Sequence, residues 1–189
     1  MKVLWITQNL MSDVCKQFNL KAPASGTWLE TYKNQLSTEA GIELHVICLA
    51  TDLLPEKHIV ANNVEYHIIT INKKQAIKGL SPQTAKLLSE TIVVINPDII
   101  HIHGTEFGIG LGLSDEIVNA IPVCHSIQGL VSCIANNYFL GGINLKKCSP
   151  LVSLPLKIQH KQYLERGKCE EKIFKRFKYF FGRTDWDYS

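Results

Sequence analysis

Four polar segments directly follow apolar runs and carry side chains suited to binding or transforming a ligand. They cover residues 7–9, 103–106, 126–129 and 183–185, with a glycine in or beside three of them. In an open parallel sheet, ligands bind beyond the carboxyl ends of the strands, where helix N-termini and free amides converge. We therefore expect these segments to form one wall of a binding crevice.

Two histidines dominate the second segment. His101 and His103 are two residues apart on a predicted strand, so their side chains point to one face. They could supply two metal ligands, but a third would have to come from elsewhere. We favour a packed His101 and a functional His103 at the rim. Glu106 either stabilises the first turn of the next helix or accepts hydrogen bonds from a hydroxyl-rich ligand.

The long loop after the first strand is another candidate. It runs for about nineteen residues from Thr7 and closes with Ser25, Gly26 and Thr27 at a helix start. A glycine there lets backbone amides approach a phosphate, although a plain helix N-cap explains the same residues. Neither G-x-G-x-x-G, a P-loop nor G-x-S-x-G occurs, which argues against dinucleotide, P-loop and hydrolase sites.

Alternating strands and helices are expected to position these segments. Such alternation predicts an α/β fold with a Rossmann-like parallel sheet flanked by helices. The predicted strands are 3–7, 42–49, 64–71, 99–103, 123–127 and 179–181. The predicted helices are 27–40, 81–96, one through 117–120, and 157–178, with an irregular stretch at 50–62 and a loop or short turns at 141–155.

Composition narrows the function classes. The 189 residues are 46% hydrophobic and 20% charged, which is typical of a globular domain with a real core. No apolar run approaches the roughly 20 residues of a spanning helix, and no signal peptide is evident, so we expect a cytoplasmic protein. Six scattered cysteines without a C-x-x-C pair argue for buried free thiols rather than a zinc or redox site.

Positive charge is concentrated near the C-terminus. Residues 146–183 contain eleven Lys or Arg against three Glu, whereas residues 1–145 contain nine against twelve acidic side chains. The predicted helix 157–178 can place Ile158, Tyr163, Cys169, Ile173, Phe174 and Phe177 on one broad face. It is either a core-facing helix with a solvated back or an element that docks on anionic lipid. Gly167 is expected to weaken its middle.

The amino-acid sequences of these segments resemble those of a known family. PDIIHIHGTEFGIGLGL (97–113), IPVCHSIQGLVS (121–132) and FFGRTDWD (180–187) resemble the N-terminal domain of glycosyltransferase family 4. VLWITQNL and ASGTWLETYKNQL look like the first strand, glycine loop and first helix of that family. The resemblance implies the N-terminal half of a GT-B fold, in which two Rossmann-like domains face each other and bind acceptor and nucleotide-sugar donor, respectively.

The resemblance also implies residue roles. The Gly26 amide would approach the donor phosphates, residues 103–106 would line the cleft, and Arg183 would lie on the path to the domain linker. Gln128 stands where many members have a histidine, and would orient a sugar hydroxyl or a main-chain carbonyl. The predicted substrate-binding set is Gly26, Thr27, His103, Gly104, Thr105, Glu106, Gln128, Gly129 and Arg183, and we name no catalytic residue.

The functional expectation follows from the same resemblance. Residues 1–183 would form the acceptor-side domain of a retaining glycosyltransferase of hexosyltransferase type, and 184–189 would begin the connection to a C-terminal donor-binding domain that the chain lacks. The whole enzyme would use a nucleotide sugar as donor and a saccharide or glycolipid as acceptor, without metal or other cofactor. Its setting would be bacterial surface polysaccharide or glycolipid synthesis. We expect no nucleic-acid partner and no activity of this chain alone, and peripheral contact with the inner face of an anionic membrane is the alternative left open by the basic helix.

Two alternatives remain open. One is a non-catalytic α/β module that binds a saccharide or an anion. The other is a nucleotide-sugar epimerase of GT-B shape, which the HGTEF and SIQG wording fits less well.

Overall fold

A seven-stranded sheet forms the centre of the computed structural model, which describes residues 1–22 and 27–182. The strands are β1 (Lys2–Thr7), β2 (Glu43–Ala50), β3 (His58–Ala61), β4 (Val64–Thr70), β5 (Ile99–His103), β6 (Val123–Ser126) and β7 (Tyr179–Phe181). Their order is β3-β4-β2-β1-β5-β6-β7, and every neighbouring pair except β3–β4 is parallel. The predicted Rossmann-like α/β fold is confirmed.

Helices connect the strands and cover the sheet. They are α1 (Ser12–Gln17), α2 (Thr27–Leu36), α3 (Lys73–Lys78), α4 (Pro82–Ile95), α5 (Asp115–Ala120), α6 (Val131–Cys133) and α7 (Pro150–Arg176). A π-helix, Ile134–Tyr138, continues α6, and two 3-10 helices span Ile109–Gly112 and Leu145–Lys147. Among the described residues, no helix is both long and apolar enough to cross a bilayer.

Strands β1, β2, β5 and β6 are mostly buried on both faces, and one core lies on each side of the sheet. One core packs Ile6, Ile47 and Ile102 against α4 and α7, and the other packs Trp5, Val46 and Tyr66 against α1 and α2. Strands covered on both faces read as continuous apolar runs, which is why most of them were predictable.

Sequence signals also fix the ends of α4. The Ser81 hydroxyl accepts a hydrogen bond from the Thr84 amide at 3.2 Å, and Pro82 occupies the first turn. Asn96 ends the helix in the left-handed conformation, with φ of 51°. These are a favoured N-cap, N1 residue and C-terminal stop.

The prediction of an irregular stretch at 50–62 is wrong in part. Residues His58–Ala61 form β3, which pairs antiparallel with β4 through a turn at Asn62 and Asn63. Both asparagines have positive φ, 50° and 60°. Asparagine tolerates this conformation, and two such residues make the tight turn of a hairpin. The Asn-Asn pair was therefore the missed signal.

The predicted helix limits also need correction. The structure places α1 inside the predicted first loop, adds α3, and ends α2 at Leu36 rather than at residue 40. Helix α7 begins at Pro150 rather than 157, so Pro155 lies within it. A proline here removes one backbone hydrogen bond, to the carbonyl of Leu151. Leu151 is 88% exposed, so water can reach this end of the helix.

A buried ionic network joins α1, α2 and the sheet. The Asp13 carboxylate accepts hydrogen bonds from Lys33, from Tyr66 Oη at 2.6 Å and from Asn62 Nδ2 at 2.9 Å. Lys33 Nζ also lies 3.0 Å from Glu30 Oε2. Burial alone would raise the pKa of Asp13, but the hydrogen bonds from Lys33 and Tyr66 hold it below its ordinary value. The network fixes the first helices against the sheet.

Helix α7 packs closely on α6 through a glycine. A Cβ atom at Gly167 would lie 2.9 Å from Ser132 Cα, so only glycine allows this approach. Helix α7 continues through Gly167 unbroken. The cost of this glycine in helix propensity stays a prediction. Cys169, Ile173 and Phe177 bury the following turns, whereas Ile158 is 53% exposed, so the predicted single broad face covers only the second half of the helix.

Four of the six cysteines are buried and two are half-buried, and all are free thiols. Burial raises the pKa of Cys48 and of Cys124 to about 11. These two thiols are therefore protonated at neutral pH, which fits the predicted structural role.

Candidate functional site

A cleft of about 490 Å³ lies over the carboxyl ends of β1, β2 and β4. We call it the strand-end cleft. Its polar lining residues are Gln8, Asn9, Lys21, Thr51 and Asp52, and Leu10, Ile71 and Phe107 are among its apolar ones. Sites for small ligands have volumes of roughly 300–1,000 Å³ and combine apolar walls with a few polar groups. The strand-end cleft has both properties.

The polar groups of the strand-end cleft suit a hydroxylated or anionic ligand. Lys21, Thr51 and Asp52 are exposed, so a carboxylate, a hydroxyl and an ammonium group line one opening. Gln8 Nε2 donates to the Ala76 carbonyl at 2.9 Å, whereas Gln8 Oε1 is buried with no partner among the described residues. A carboxylate accepts hydrogen bonds from hydroxyls, and an ammonium group attracts phosphate.

His103 occupies a different place from the predicted one. Its ring is 3% exposed and lies between Trp5, at a centroid distance of 4.6 Å, and Trp28, at 5.7 Å. Neither ring nitrogen has a partner within residues 1–22 and 27–182. Burial lowers the pKa of His103 well below its ordinary value, so the ring is neutral. The expectation of a histidine at the rim is wrong.

His101 is less buried than His103, the reverse of the prediction. The two rings share one face of the sheet, as predicted, with centroids 4.1 Å apart. His101 Nε2 forms a 2.6 Å hydrogen bond with Ser126 Oγ, and burial lowers the pKa of His101 to about 4. In the part of the chain that the structure describes, no carboxylate or thiol completes a three-ligand set with this pair.

Glu106 is buried rather than at a helix start. It is 6% exposed and lies in a turn before the 3-10 helix Ile109–Gly112, so the predicted helix-dipole role is wrong. Its Oε1 is 3.8 Å from Arg166 Nη2, and burial raises the pKa of the carboxyl. Gly104 makes room for it: with φ of 105°, a Cβ there would lie 2.9 Å from Glu106 Oε2.

Glu170 on α7 holds this region together. Its fully buried carboxylate accepts hydrogen bonds from Thr105 Oγ1 at 2.8 Å, from the Ser132 amide at 2.8 Å and from Ser132 Oγ at 2.7 Å. It thereby connects the loop after β5 to the start of α6. Sequence reasoning missed Glu170, although its spacing from Ile173 and Phe177 places it on the buried stripe of the helix.

Gln128 and Gly129 follow β6 and are half-buried. Gly104 follows β5, and its amide donates to the Ser126 carbonyl at 3.0 Å. The two predicted loops are therefore neighbours at one edge of the sheet, as expected. None of the predicted residues 103–106, 128 and 129 lines the strand-end cleft, which Phe107 reaches instead. Their contact with a ligand stays a prediction.

Gly26 and Arg183 lie outside the described residues, as do the rest of the predicted polar segment 183–185 and the predicted connection 184–189. Thr27 is the first residue of α2. Sequence reasoning also missed Lys21, Thr51 and Asp52, although Thr51 and Asp52 follow the apolar run of β2 directly and satisfy the strand-end rule used for the other segments.

A second, more apolar groove of about 630 Å³ lies on one face of β1, β5, β6 and β7. We call it the sheet-face groove. Trp5, Tyr32, His101, His103 and Phe181 are among its lining residues. Tyr32 and Phe181 are 59% and 56% exposed. Helix α2 flanks this groove, and His103 therefore faces it rather than the strand-end cleft.

Comparison with known proteins adds to this geometry. No protein-family model matches the sequence, and no curated protein matches it. Among solved structures, sucrose-phosphate synthase from Thermosynechococcus elongatus superposes with a TM-score of 0.50 at 13% identity, over 97% of this chain and 47% of that one. This chain has a glycosyltransferase-like fold. A second structure of the synthase matches at a TM-score of 0.43 and 10% identity, over 86% of this chain and 98% of that one.

At 13% identity, the similarity to the synthase is one of fold. The chain spans about half the length of the synthase structure that it matches. The resemblance to glycosyltransferase family 4 remains a prediction, because no family model matches. The activity of a whole protein containing this chain is therefore a proposal.

Proposed function

We propose that this chain is the acceptor-side part of a retaining, metal-independent glycosyltransferase of hexosyltransferase type, which moves a sugar from a nucleotide sugar to a saccharide or glycolipid acceptor. The observation that carries the proposal is the strand-end cleft, which opens at the carboxyl edge of a parallel sheet in a glycosyltransferase-like fold. Ligands of such sheets bind at this edge. Bacterial surface polysaccharide or glycolipid synthesis in the cytoplasm is the proposed setting.

The polar groups of the strand-end cleft would bind different parts of the two substrates. Asp52 would accept hydrogen bonds from acceptor hydroxyls, and Thr51 would donate hydrogen bonds to them. Lys21 would attract a phosphate group of a donor or a glycolipid. A departing nucleoside diphosphate gains negative charge, so preorganised donors must await it. The Gly26 amide and a donor-binding domain of the same protein would supply most of them. The isolated chain would then bind an acceptor without transferring sugar.

Binding to the isolated chain tests the acceptor part. We expect saturation-transfer NMR with a panel of mono- and disaccharides to identify at least one ligand of the 189-residue chain. Asp52→Asn should weaken its binding about tenfold, because a charged acceptor is lost from a partly desolvated site. Glu56→Gln, an exposed change nearby that does not line the cleft, is the matched control. Equal losses in both variants, or no binding by any sugar, would contradict the assignment.

Turnover tests the catalytic part. A longer protein that contains this chain and a donor-binding domain should release nucleoside diphosphate from UDP-, GDP- or ADP-glucose in the presence of the acceptor found above, and should do so in EDTA. NMR of the product should show the anomeric configuration of the donor retained. Sugar transfer by the 189-residue chain alone would refute the two-part assignment, and an epimerised free nucleotide sugar would favour the epimerase.

We further propose that the first half of α7 contacts an anionic membrane. Leu151, Leu154 and Ile158 share one side of the helix and are 88%, 60% and 53% exposed. Four lysines of α3 and α7 and one carboxylate, that of Glu165, lie around Ile158; the lysines are Lys73, Lys74, Lys78 and Lys161. None of these four lysines lies within ion-pair distance of a carboxylate among the described residues. Apolar side chains ringed by cations are typical of helices that lie in the lipid interface.

Liposome co-sedimentation tests this contact. The chain should sediment with vesicles containing phosphatidylglycerol but not with pure phosphatidylcholine, and binding should fall steeply between about 0.05 and about 0.5 M NaCl. Leu151→Asn with Leu154→Asn should reduce binding several-fold. Lys16→Gln with Lys86→Gln, which removes two exposed charges elsewhere, is the control. Salt-independent or absent sedimentation would leave α7 as a purely structural helix.

A further inference from the structure

Three histidines and two glutamates meet on one face of the sheet, away from the strand-end cleft. Glu43 and His45 belong to β2, Glu65 and His67 to β4, and His58 to the edge strand β3. The strand register pairs His45 with Glu65 and His58 with His67. We call these five residues the histidine cluster.

The distances within the histidine cluster match those between ligands of one metal ion. His45 Nδ1 lies 3.3 Å from His67 Nε2 and 3.7 Å from Glu65 Oε2, and all three ligand atoms lie within 4.8 Å of one another. A tetrahedral zinc ion with bonds of about 2.0–2.1 Å requires ligand atoms about 3.3–3.5 Å apart. Only a small movement of Glu65, which is 39% exposed, would complete this geometry.

A hydrogen bond to Glu43 orients His45. His45 Nε2 lies 2.7 Å from Glu43 Oε1. With the proton on Nε2, the lone pair of Nδ1 faces His67 and Glu65. This carboxylate–histidine arrangement is the one that orients histidines on metals.

His58 completes the surroundings. Its Nε2 lies 3.1 Å from Glu65 Oε2 and can hold that carboxylate in place. The side chain of His58 is 52% exposed, whereas that of His45 is 4% exposed. The histidine cluster is therefore anchored in the sheet and open to solvent on one side, where an ion can enter and water can fill a fourth position.

We propose that His45, Glu65 and His67 form a binding site for a divalent transition-metal ion, with Zn²⁺ as the best fit. Two imidazoles and one carboxylate suit zinc, nickel and copper, whereas calcium and magnesium prefer sets of oxygen ligands. The site lies five residues before the end of β2, about 16 Å from the strand-end cleft along the strand. A bound ion would therefore link β2 to β4, next to the edge strand β3, without taking part in sugar transfer.

Metal binding to the wild-type chain is the first test, with the 189-residue protein prepared without a histidine tag. After treatment with chelator, it should bind one equivalent of Zn²⁺ in competition with a chromophoric chelator, and Co²⁺ should give the intense visible spectrum of a tetrahedral site. The melting temperature should rise by about 2 °C or more with excess Zn²⁺. The imidazole NMR signals of His45 and His67 should shift, and unchanged signals would overturn the proposal without any variant.

Variants then locate the site. His45→Gln and His67→Gln should each weaken Zn²⁺ binding by more than about tenfold, and Glu43→Gln by about tenfold through loss of histidine orientation. His160→Gln is the matched control, because this histidine lies on α7 and bonds the Ala135 carbonyl. Equal Zn²⁺ affinity in the wild type and in the double variant His45→Gln/His67→Gln would show that the five side chains form only a hydrogen-bonded cluster.

Discussion

Glu170 is a single carboxylate on which two loops of the carboxyl edge depend. It is fully buried and receives three hydrogen bonds, from Thr105 and twice from Ser132. A carboxylate at this place only accepts hydrogen bonds, so it matches three donors. Its role is to position the loops after β5 and β6.

Glu170→Gln tests this role. The amide nitrogen would face donors and leave at least one of them unpaired, so we expect a loss of about 3 kcal/mol in the free energy of unfolding. Urea denaturation measures it. Glu171→Gln, one residue further and exposed, should change stability by less than about 0.5 kcal/mol. A loss below about 1 kcal/mol in Glu170→Gln would mean that water replaces the carboxylate.

At the scale of elements, the contact between α6 and α7 decides how the basic helix lies. Gly167 lets α7 pack against Ser132. In the turns that follow, the side chains of Cys169, Ile173 and Phe177 are buried. The first half of α7 carries exposed leucines instead. The second half of α7 therefore packs in the core, and the first half forms the surface that we propose contacts lipid.

Gly167→Ala distinguishes helix propensity from packing. Propensity alone predicts that alanine stabilises the helix by about 1 kcal/mol. The new Cβ would lie 2.9 Å from Ser132 Cα, a backbone atom that cannot rotate away, so we expect destabilisation by about 1–3 kcal/mol. Thermal unfolding gives the sign. Lys168→Ala on the exposed side should have little effect, and a stabilised Gly167→Ala would refute the close contact.

At the scale of the whole molecule, buried histidines make stability depend on pH. Burial lowers the pKa values of His101 and His125 to about 4, against an ordinary value of 6.5. Between these values the unfolded chain binds protons that the folded chain does not, so stability is full above pH 6.5 and falls toward pH 4. Glu106, whose pKa burial raises, acts in the opposite sense.

His125→Gln isolates one contribution. His125 is fully buried, so its removal should reduce the slope of stability against pH by up to about 1.4 kcal/mol per unit between pH 5 and 6.5. Urea midpoints at several pH values measure this slope. Ile127→Val, which removes a methyl group nearby without changing a titratable group, should lower stability at every pH equally. Identical slopes in His125→Gln and the wild type would contradict a neutral buried ring.

The sequence predicted more of the fold than of the candidate site. The sequence predicted six of the seven strands. Most of them are buried on both faces and leave a local apolar run, whereas β4 alternates between buried and half-buried residues. The short edge strand β3 has a half-exposed pattern and depends on the Asn62–Asn63 turn. For the site, the sequence located polar loops at the strand ends, but it selected Glu106 and missed Asp52, although Glu106 is buried and Asp52 lines the open cleft.

The sequence by itself determined most of the strands and the polar loops that follow them, because these depend on periodicity over a few residues. It also determined the parallel direction of most strands, because helices alternate with strands along the chain. Only the tertiary structure decided which polar groups face solvent and which lie beneath them. Exposure is set by partners far along the chain, as when Glu170 buries Thr105 from 65 residues away. The histidine cluster has the same origin, since the pairing of β2, β3 and β4 brings together side chains from three separate strands.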